Sequence, residues 1–325
     1  MTTIPGKRRL ALLLTMACAS FGASAQLAAP EKPIRMVVPL TAGSTVDAVA
    51  RALGPGLGWT TGHPVVVENV AGAGGIPGTA QVVRAAKDGL TLGMISSNHV
   101  INPGIYKTIP YDSIKDITPI AVLATVPLVL VVNPKLPVRS LQELRDYAKA
   151  HPGALNYGSA GNGSTLHLAG ELLISETGIS MKHVPYRGTG PLITDLIGGQ
   201  VQLAFVSVSQ VVPQVKAGTL RALAVSTTVR SSALAEVPTM AEAGAPEYSF
   251  DAWIALIGPA GLGKPLVNQY AAAVKTAMGS AQAQAAIAGQ GLLMLDKGPD
   301  EAPAFFQSEL IKHQKLVKQS GATLD

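Results

Sequence analysis

The chain has 325 residues, of which 47% are hydrophobic, and its formal net charge is +5. This charge excess is small, and the basic residues form no run interleaved with aromatic side chains, so the sequence does not indicate a nucleic-acid-binding protein. A chain of this length is long enough to form a sizeable hydrophobic core without disulfide bonds.

The first 25 residues have the order of a secretory signal peptide. Lys7, Arg8 and Arg9 are followed by an apolar run over 10–21, and small residues at 23–25 match a signal-peptidase site. The run is shorter than the roughly 20 apolar residues that span a bilayer. A buried N-terminal helix is the alternative interpretation. We expect cleavage near Ala25 and export to the periplasm, and losing three basic residues lowers the net charge from +5 to +2.

Cysteine and histidine usage argues against a metal or thiol site. The single cysteine, Cys18, lies inside the apolar run. It is a poor lipidation site because Thr15 stands where an aliphatic residue is expected, although lipidation remains an alternative. Without a cysteine the exported chain has no disulfide, no thiol nucleophile and no cysteine-type zinc site. The six histidines lack the i, i+4 pairing of zinc hydrolases, so we predict neither a metal nor a cofactor.

Short β-branched runs alternate with helical patterns along the chain, which predicts the α/β class. Strands are predicted at 34–39, 65–69, 92–96, 129–132, 203–207 and 222–227, and helices at 46–57, 79–86, 141–150, 165–175 and 192–197. The strands are nearly continuous apolar runs, as expected when helices cover both faces of a sheet.

The length after residue 25 indicates two domains. The segments 122–132 and 220–228 are extended and apolar, so we predict that they cross between two lobes. Lobe 1 is then formed by 26–124 and 228–325, and lobe 2 by 125–227. An amphipathic helix over 303–318 is predicted to return and pack on lobe 1.

The first loop of interest follows the first predicted strand. Ser44 is a good N-cap, and Asp47 three residues later completes a capping box. Such a helix start presents unpaired backbone N–H groups and the positive end of the helix dipole, which together form an anion site. The alternative is an ordinary strand-to-helix turn.

A second loop, over 157–168, has three glycines, two serines and an asparagine within eight residues. Ordering such a loop is costly, which favours a functional role. Ser164 is the predicted N-cap, and His167 in the first helical turn either donates to an anion or is structural.

The third loop, over 184–191, carries Arg187, which could pair with a carboxylate, and Tyr186, which could cover it. A solvated arginine is the alternative. Thr189 or Gly190 is the predicted N-cap, with Pro191 at the first helical position. Asp195, one turn further along, could bind an ammonium group.

Signatures of enzymes are missing. The segment 157–161 lacks the leading glycine of a nucleophile elbow, and there is no dinucleotide fingerprint or P-loop lysine. We therefore expect a binding protein and not an enzyme. A periplasmic hydrolase that uses Ser159 or Ser164 is the distant alternative.

Taken in order, the segments 38–47, 69–78, 157–168, 183–191, 195–200, 220–225, 237–244 and 259–261 resemble the receptors of tripartite tricarboxylate transporters, the Bug family. The resemblance covers essentially the whole chain after the signal peptide. It implies a type II periplasmic binding protein fold, with two lobes of mostly parallel sheets flanked by helices and a ligand cleft between them. In this family, the loop after the first strand and the glycine/serine loop of the second lobe hold a carboxylate through backbone N–H groups, hydroxyls and bridging waters.

Carried over by position, the resemblance implies two groups of ligand-binding residues. They are Pro39, Thr41, Ala42, Gly43, Ser44 and Asp47 in the first loop, and Ser159, Gly161, Asn162, Ser164, Thr165 and His167 in the second. Ser44 stands where family members commonly have a glycine, which leaves the identity of the carboxylate open. The expected function is that of a monomeric receptor that delivers its ligand to membrane transporter subunits. A sensor that reports to a membrane histidine kinase is the alternative.

Overall fold

The computed structural model describes residues 32–248 and 250–320. The predicted signal peptide and its cleavage site lie outside these residues. Within the described ranges, no helix is long and apolar enough to cross a membrane.

The strands lie in two separate sheets. In chain order the strands are β1 (Ile34–Val38), β2 (Val65–Asn69), β3 (Thr91–Ser96), β4 (Ile117–Val126), β5 (Leu128–Val132), β6 (Asn156–Ser159), β7 (Lys182–Pro185), β8 (Leu203–Ser207), β9 (Arg221–Val225), β10 (Ala252–Pro259) and β11 (Leu293–Lys297).

Helices cover the faces of both sheets. They are α1 (Thr45–Thr61), α2 (Ile76–Val83), α3 (Asn98–Ile105), α4 (Leu141–Ala150), α5 (Thr165–Thr177), α6 (Thr189–Gly198), α7 (Val208–Lys216), α8 (Lys264–Met278), α9 (Ala281–Gly289) and α10 (Ala302–Ser320). The α/β class expected from the sequence is confirmed.

Both sheets are mixed, whereas mostly parallel sheets were expected. The first has the order β11-β4-β10-β3-β1-β2, and β10 runs antiparallel to both of its neighbours. The second has the order β7-β6-β8-β5-β9, and β5 runs antiparallel to both of its neighbours. The difference arises because the strands that follow the two crossings, β5 and β10, enter their sheets from the opposite end to the strands of the βα units. The parallel pairs, β1 with β2 and β3 and β6 with β7 and β8, belong to those units.

Strand β1 shows why apolar runs form these sheets. Met36 and Val38 pack in one hydrophobic cluster with Leu53 of α1, and Val37 packs in another with Phe306 of α10. Successive side chains of a strand point to opposite faces, so both faces of this sheet are buried. The C-terminal ends of such strands are left to carry the loops.

Pro127 separates the two sheets at the first crossing. It is the only residue between β4, which ends at Val126, and β5, which begins at Leu128. Proline has no N–H to donate to a strand ladder, so its only backbone pairing with the described residues is that of its carbonyl, which accepts the N–H of Val208 at 3.0 Å. The predicted crossing segment 122–132 contains this point.

The return to the first sheet comes later in the chain than the predicted segment 220–228. Between β9 and β10, the side chains of Leu234, Val237, Met240 and Phe250 belong to the hydrophobic cluster of the second sheet. We therefore propose that lobe 2 extends to about residue 250, while the predicted boundary at 124/125 stays a prediction.

Helix α10 contacts both halves of the molecule. Its N-terminal Ala302 and Phe306 pack in a cluster of the first sheet, whereas Val317 near its C-terminus packs in the cluster of the second. The predicted packing of 303–318 on lobe 1 therefore describes only its first half. Because it spans the two halves, α10 limits how far they can separate without breaking apolar contacts.

Candidate functional site

A cleft of about 580 Å³ lies between the two sheets. Its walls are formed by the loops that follow β1, β2, β3, β6, β7 and β8, and by the first turns of α1, α3, α5, α6 and α7. Ligands of open α/β sheets bind outside the carboxyl ends of the strands, and all of these loops leave strands at that end.

The first wall is the start of α1. Ser44 is its N-cap, and the Ser44 hydroxyl accepts a hydrogen bond from the N–H of Asp47 at 3.3 Å. The Asp47 carboxylate accepts the N–H of Gly43 at 2.9 Å, and the N–H of Ser44 donates to the carbonyl of Thr41. The predicted capping box is thus shifted by one residue, because the carboxylate binds the N–H before the cap.

Asp47 is buried and fully engaged. Asn69 donates to its carboxylate at 2.9 Å, and Arg51 forms an ion pair with it at 3.0 Å. Burial alone would raise the pKa of this carboxyl, but the hydrogen bonds from Arg51, Gly43 and Asn69 outweigh burial and lower the pKa below its ordinary value. Asp47 is therefore charged at neutral pH, where it anchors the loop, and it does not line the cleft.

The facing wall, at the start of α5, repeats this design. Ser164 is the N-cap, and its hydroxyl accepts the N–H of His167 at 3.2 Å. The N–H of Gly163 donates to Nδ1 of His167 at 3.0 Å, and the N–H of Ser164 donates to the carbonyl of Gly161.

The two walls share a sequence motif as well as a geometry. Gly43-Ser44-Thr45-Val46-Asp47 corresponds to Gly163-Ser164-Thr165-Leu166-His167. In both, the side chain four residues after the glycine accepts the glycine N–H, and the serine caps the helix. The N–H groups of the first two helical residues then lie ahead of any intrahelical acceptor, and these residues line the cleft. Helix starts of this kind favour the binding of an anion.

Behind the second wall lies a buried polar cluster. The ring of His167 stacks on that of His183, with 3.8 Å between centroids, and its Nε2 lies 3.6 Å from Glu171. Tyr157 donates a hydrogen bond to Glu171, and Ser159 Oγ lies 2.6 Å from Nε2 of His183.

The surroundings shift the pKa values of three members of this cluster. Burial, together with the neighbouring His167, lowers the pKa of His183 to about 4. Burial and the adjacent Glu171 raise the pKa of Tyr157. Burial acts to raise the pKa of Glu171, but its hydrogen bonds with His167 and Tyr157 lower the pKa overall.

The third wall begins at β7. Arg187 is exposed and lines the cleft. The hydroxyl of Tyr186 donates a hydrogen bond to Asp195 at 2.9 Å, and neither of these two residues lines the cleft. Burial and this hydrogen bond raise the pKa of Tyr186 to about 12. Helix α6 starts at Thr189 with Gly188 as its N-cap, so the predicted N-cap was placed one or two residues too late. Pro191 is tolerated at the third helical position because that N–H has no intrahelical acceptor.

A glycine-rich turn supports the first wall from behind. Gly75 has a φ of +88°, and a Cβ at this position would approach Pro39 to 2.9 Å. Only glycine allows both this backbone conformation and this close contact. Ala73, in the same turn, has a φ of +42°. The close contact with Pro39 therefore holds the loop after β1 in place, and the turn itself also lines the cleft.

The two halves also touch directly inside the cleft. The Thr165 hydroxyl donates to the side-chain oxygen of Asn98 at 2.7 Å and lies 3.5 Å from that of Ser97. This contact joins the first turn of α5 to the first turn of α3, so the positive ends of two helix dipoles lie at one side of the cleft.

The structure brings nine of the fifteen predicted ligand-binding residues to the cleft surface. They are Pro39, Thr41, Ala42, Gly43, Ser44, Asn162, Ser164, Thr165 and Arg187. Six others do not line it: Asp47, Ser159, Gly161, His167, Tyr186 and Asp195. Direct contact of any of the fifteen with a ligand stays a prediction.

Several lining residues were not predicted. They are Leu40, Thr45, Val46, Ala71–Gly75, Ser96, Ser97, Asn98, Asn102, Tyr106, Val126, Leu128, Ala160, Gly163, Leu166, Gly188, Thr189, Ser207, Gln210, Ala252 and Trp253. The sequence signal that could have identified Ser96 and Ser207 is their position at the carboxyl end of a buried strand. Nothing in the local sequence marks Tyr106 or Trp253.

Comparison with known proteins agrees with this architecture. Residues 49–322 match the family described as the tripartite tricarboxylate transporter family receptor. Protein BugT of Bordetella pertussis is 36% identical over 321 residues, covering 97% of this chain and 98% of BugT.

Two solved structures are similar throughout. The periplasmic binding protein BugD has a TM-score of 0.80 at 30% identity, covering 91% of this chain and 100% of BugD. Rpa4515 of R. palustris, solved with adipate, has a TM-score of 0.82 at 33% identity, covering 91% of this chain and 99% of that protein.

The fold is therefore that of a two-lobed type II periplasmic binding protein, with the cleft between its lobes. The chain belongs to the family of tripartite tricarboxylate transporter receptors.

Proposed function

We propose that this receptor binds a small carboxylate in the cleft and presents it to a membrane transporter. The observation that carries the proposal is the pair of matched helix starts, one from each lobe, whose first residues line the same cleft. Oriented main-chain N–H groups at helix N-termini stabilise anions without needing a counter-charge. The structural relative solved with adipate is consistent with such a ligand.

The charges around the cleft narrow the class of ligand. Among the described residues that line it, Arg187 is the one with a formal charge, and no carboxylate faces the space. Asp195, which the sequence suggested as an ammonium partner, accepts a hydrogen bond from Tyr186 and lies outside the lining. The ligand we infer has two acidic groups and no ammonium group, with the main chain holding one acid and Arg187 the other.

Binding without turnover is part of the proposal. Ser159 and His183 resemble a nucleophile and base in their 2.6 Å contact, but Ser159 is 0% exposed and its hydroxyl also donates to the carbonyl of Gly161. Ser164 is committed to capping α5. A substrate in the cleft reaches neither hydroxyl as a free nucleophile, so we propose that the protein is not an enzyme.

Closure of the lobes would complete the site. We propose that lobe 1 comprises 26–124 and the chain after about residue 250, and that lobe 2 lies between. The links at Pro127 and near Ala252 are the points about which the lobes would move, and the closed form would be recognised by the transporter. Export to the periplasm with cleavage near Ala25, and function as a monomer, belong to the same proposal.

The test is thermal unfolding of the mature protein, freed of bound ligand by unfolding and refolding, with adipate, malate, succinate and their mono-amides. A ligand at 100 times its Kd stabilises the folded state by about 2.7 kcal/mol, which raises Tm by several degrees. We expect a shift with at least one diacid and a much smaller shift with its mono-amide. Aspartate serves as the ammonium-bearing comparison and should give no shift.

Two results would contradict the proposal. Equal shifts of Tm with the diacid and its mono-amide would show that Arg187 does not bind the second acidic group. An unchanged Tm with every acid would contradict carboxylate binding itself.

A further inference from the structure

A second groove lies between helix α1 and strand β2, at the edge of the first sheet. Its volume is about 550 Å³, and it shares no lining residue with the ligand cleft. The lining that defines this β2 groove includes Arg51, Pro55, Trp59, Pro64, Val65 and Val67. A partner can therefore occupy the groove while a ligand occupies the cleft.

Trp59 stands almost free in solvent beside the start of β2. It is 92% exposed, whereas the other exposed large hydrophobic residues among the described ones reach at most 60%. The preceding residue, Gly58, lies so close to β2 that an added Cβ would be 3.7 Å from the N of Val65. An indole left in water forfeits the free energy of burying a large apolar side chain, and tryptophan is enriched among the residues that dominate binding at interfaces. The exposure of Trp59 therefore indicates that a partner covers it.

Strand β2 forms an edge of the first sheet, where β1 is its one neighbour among the described strands. The carbonyl of Pro64 accepts the N–H of Ile34 at 2.8 Å, so the main chain at Pro64 faces β1. Main-chain groups of successive strand residues point to opposite sides, so those of Val65 and Val67 point away from β1. An edge with unpaired N–H and C=O groups is a template for another strand.

This edge also lacks the usual protection against pairing. Natural edges are commonly blunted by charged residues, proline or bulges. The run Val65–Val67 contains neither charge nor proline, and Glu68 after it forms an ion pair with Arg35 of β1. The five residues of β2 offer about 17 Å of strand. The groove therefore fits a short extended chain.

Arg51 supplies the charge of the β2 groove, since it is the one charged residue among the described residues that line it. Its Nε and Nη2 donate to Asp47 and Asn69, and its side chain is 52% exposed. Because Asn69 is the last residue of β2, the guanidinium lies at the C-terminal end of the strand. A guanidinium held in place with an accessible edge binds a carboxylate.

We propose that the β2 groove docks an extended acidic peptide segment of the membrane transporter, which adds to the first sheet beside β2 and places a carboxylate on Arg51. Main-chain pairing with β2 gives affinity, and the contacts with Trp59 and Arg51 give specificity. The inference rests on the proposed function, because a receptor that delivers its ligand must contact a membrane partner.

The position of Arg51 connects the groove with the ligand site. Arg51 holds Asp47, and the Asp47 carboxylate accepts the N–H of Gly43 in the first wall of the cleft. A segment docked on Arg51 is therefore linked through two side chains to the loop that we assign to the ligand. This link favours the transporter over a partner unrelated to transport.

A second copy of this chain fits the groove less well. Two β2 strands can pair across a two-fold axis, but β2 has one carboxylate, that of Glu68, and Arg35 already pairs with it. Arg51 would then receive no free carboxylate from the added strand. A helical partner would leave the outward main-chain groups of β2 unpaired.

The experiment is photo-crosslinking of the full chain in cells of the bacterium that encodes it. The photoreactive residue p-benzoylphenylalanine replaces Trp59 in the groove or, as the control, Val229, which is 56% exposed and outside the groove. Mass spectrometry identifies the crosslinked protein and the segment that carries the crosslink. We expect position 59 to crosslink to an acidic periplasmic segment of a multi-span transporter subunit, with a yield at least about five times that of position 229.

Strand addition is tested by Val67→Pro and Val67→Ala, with the crosslinker at position 59. Proline deletes the outward N–H, which an edge strand tolerates, whereas alanine shortens the side chain and keeps the N–H. The yield of Val67→Pro should be at least about fivefold lower than that of Val67→Ala, while the Tm values of the purified variants agree. If Val67→Pro lowers Tm, Trp59→Ala with the crosslinker at Val66 replaces it and should lower the yield by about the same factor.

The charge is tested on the partner, where replacing the acidic residue of the crosslinked segment by its amide should lower the yield. An unchanged yield after that replacement would overturn the inference. So would equal yields from positions 59 and 229, equal yields from Val67→Pro and Val67→Ala, or crosslinks to a second copy of this chain, a soluble protein or lipid.

Crosslinking needs no added acid, so its outcome is separate from that of the thermal unfolding test. If the crosslinks form as expected while no acid raises Tm, the docking surface stands and carboxylate binding fails. If an acid raises Tm while position 59 gives no crosslink to a transporter subunit, this inference alone fails.

Discussion

The helix starts Gly43–Asp47 and Gly163–His167 have the same hydrogen-bonding pattern but different surroundings. In both, a serine caps the helix and a side chain in the first turn accepts the N–H of the preceding glycine. In lobe 1 the acceptor is a charged carboxylate that forms an ion pair with Arg51, and the glycine whose N–H it accepts is exposed. In lobe 2 the acceptor is an imidazole, and its glycine is buried against α3.

The comparison shows that two loops can share the same anion-binding geometry while only one of them also contacts the other lobe. Lobe 1 has a loop whose shape is fixed by electrostatics within the lobe. Lobe 2 has a loop that also contacts the other lobe, through Gly163 against Ile105 and Thr165 against Asn98. We therefore expect changes in the second loop to alter the relation between the lobes, and equivalent changes in the first to remain local.

The largest contrast is expected from alanine at the two glycines. Gly163 has a φ of +70°, and an added Cβ would lie 2.6 Å from Cγ2 of the buried Ile105. Left-handed backbone and overpacking together should cost about 2–4 kcal/mol of unfolding free energy in Gly163→Ala. Gly43 has a φ of +80° but nothing within 4 Å of an added Cβ, so Gly43→Ala should cost only about 1 kcal/mol. Denaturant unfolding of both variants measures the difference.

Equal losses in the two alanine variants would mean that the contact between Gly163 and Ile105 does not restrict the loop. The control is Gly153→Ala, whose φ of +78° and open surroundings isolate the backbone cost. Its loss of stability should match that of Gly43→Ala.

A smaller effect is expected from Asp47→Asn. The amide keeps an oxygen for the N–H of Gly43 but loses the ion pair with Arg51, whose side chain is about half exposed. We expect a loss of about 1–2 kcal/mol at pH 7, discounted for the solvent around Arg51. The folded-state pKa of Asp47 is lowered, so its contribution is complete above the unfolded value of about 3.9 and disappears as the pH falls through the folded value. The stability gap to the wild type should therefore be constant from pH 7 to about pH 5 and close below about pH 4.

Urea unfolding across this pH range checks whether the stability gap between Asp47→Asn and the wild type closes on acidification. A gap that widens on acidification would contradict the lowered pKa. A gap of zero at pH 7 would show that the ion pair contributes nothing and that the hydrogen bond from Gly43 is sufficient.

Local sequence patterns predicted the βα units well. Strands β2 and β8 and helix α4 have the predicted bounds, because their apolar runs are bordered by turn residues and their faces are set by short-range periodicity. The mixed sheets could not be predicted in the same way. The reversed direction of β5 and β10 depends on how two distant parts of the chain pair, which no local pattern encodes.

The candidate site shows the same limit. The N-caps Ser44 and Ser164 follow from local sequence, and the structure confirms both. The burial of His167 behind its loop depends on the rings of Tyr157 and His183, which come from neighbouring strands. The repeated glycine-serine-threonine motif was readable in the sequence, but its meaning depends on the two loops facing each other across the cleft.

The central claim is that main-chain N–H groups at both helix starts hold the carboxylate, and proline at the first helical position tests it most directly. Ser44 and Ser164 have extended backbones that tolerate a following proline, and proline is common at that position. Thr45→Pro and Thr165→Pro therefore delete one N–H each and leave the helix intact. Thr45→Val and Thr165→Val are the controls, since they lose the hydroxyl but keep the N–H.

Calorimetric titration with the diacid that stabilises the wild type should give a Kd for each proline variant about 10–100 times higher than for its valine control, the worth of one charge-assisted hydrogen bond. Tm of the unliganded protein should be similar within each pair. Equal Kd values for the proline and valine variants at both positions would contradict main-chain recognition of the carboxylate.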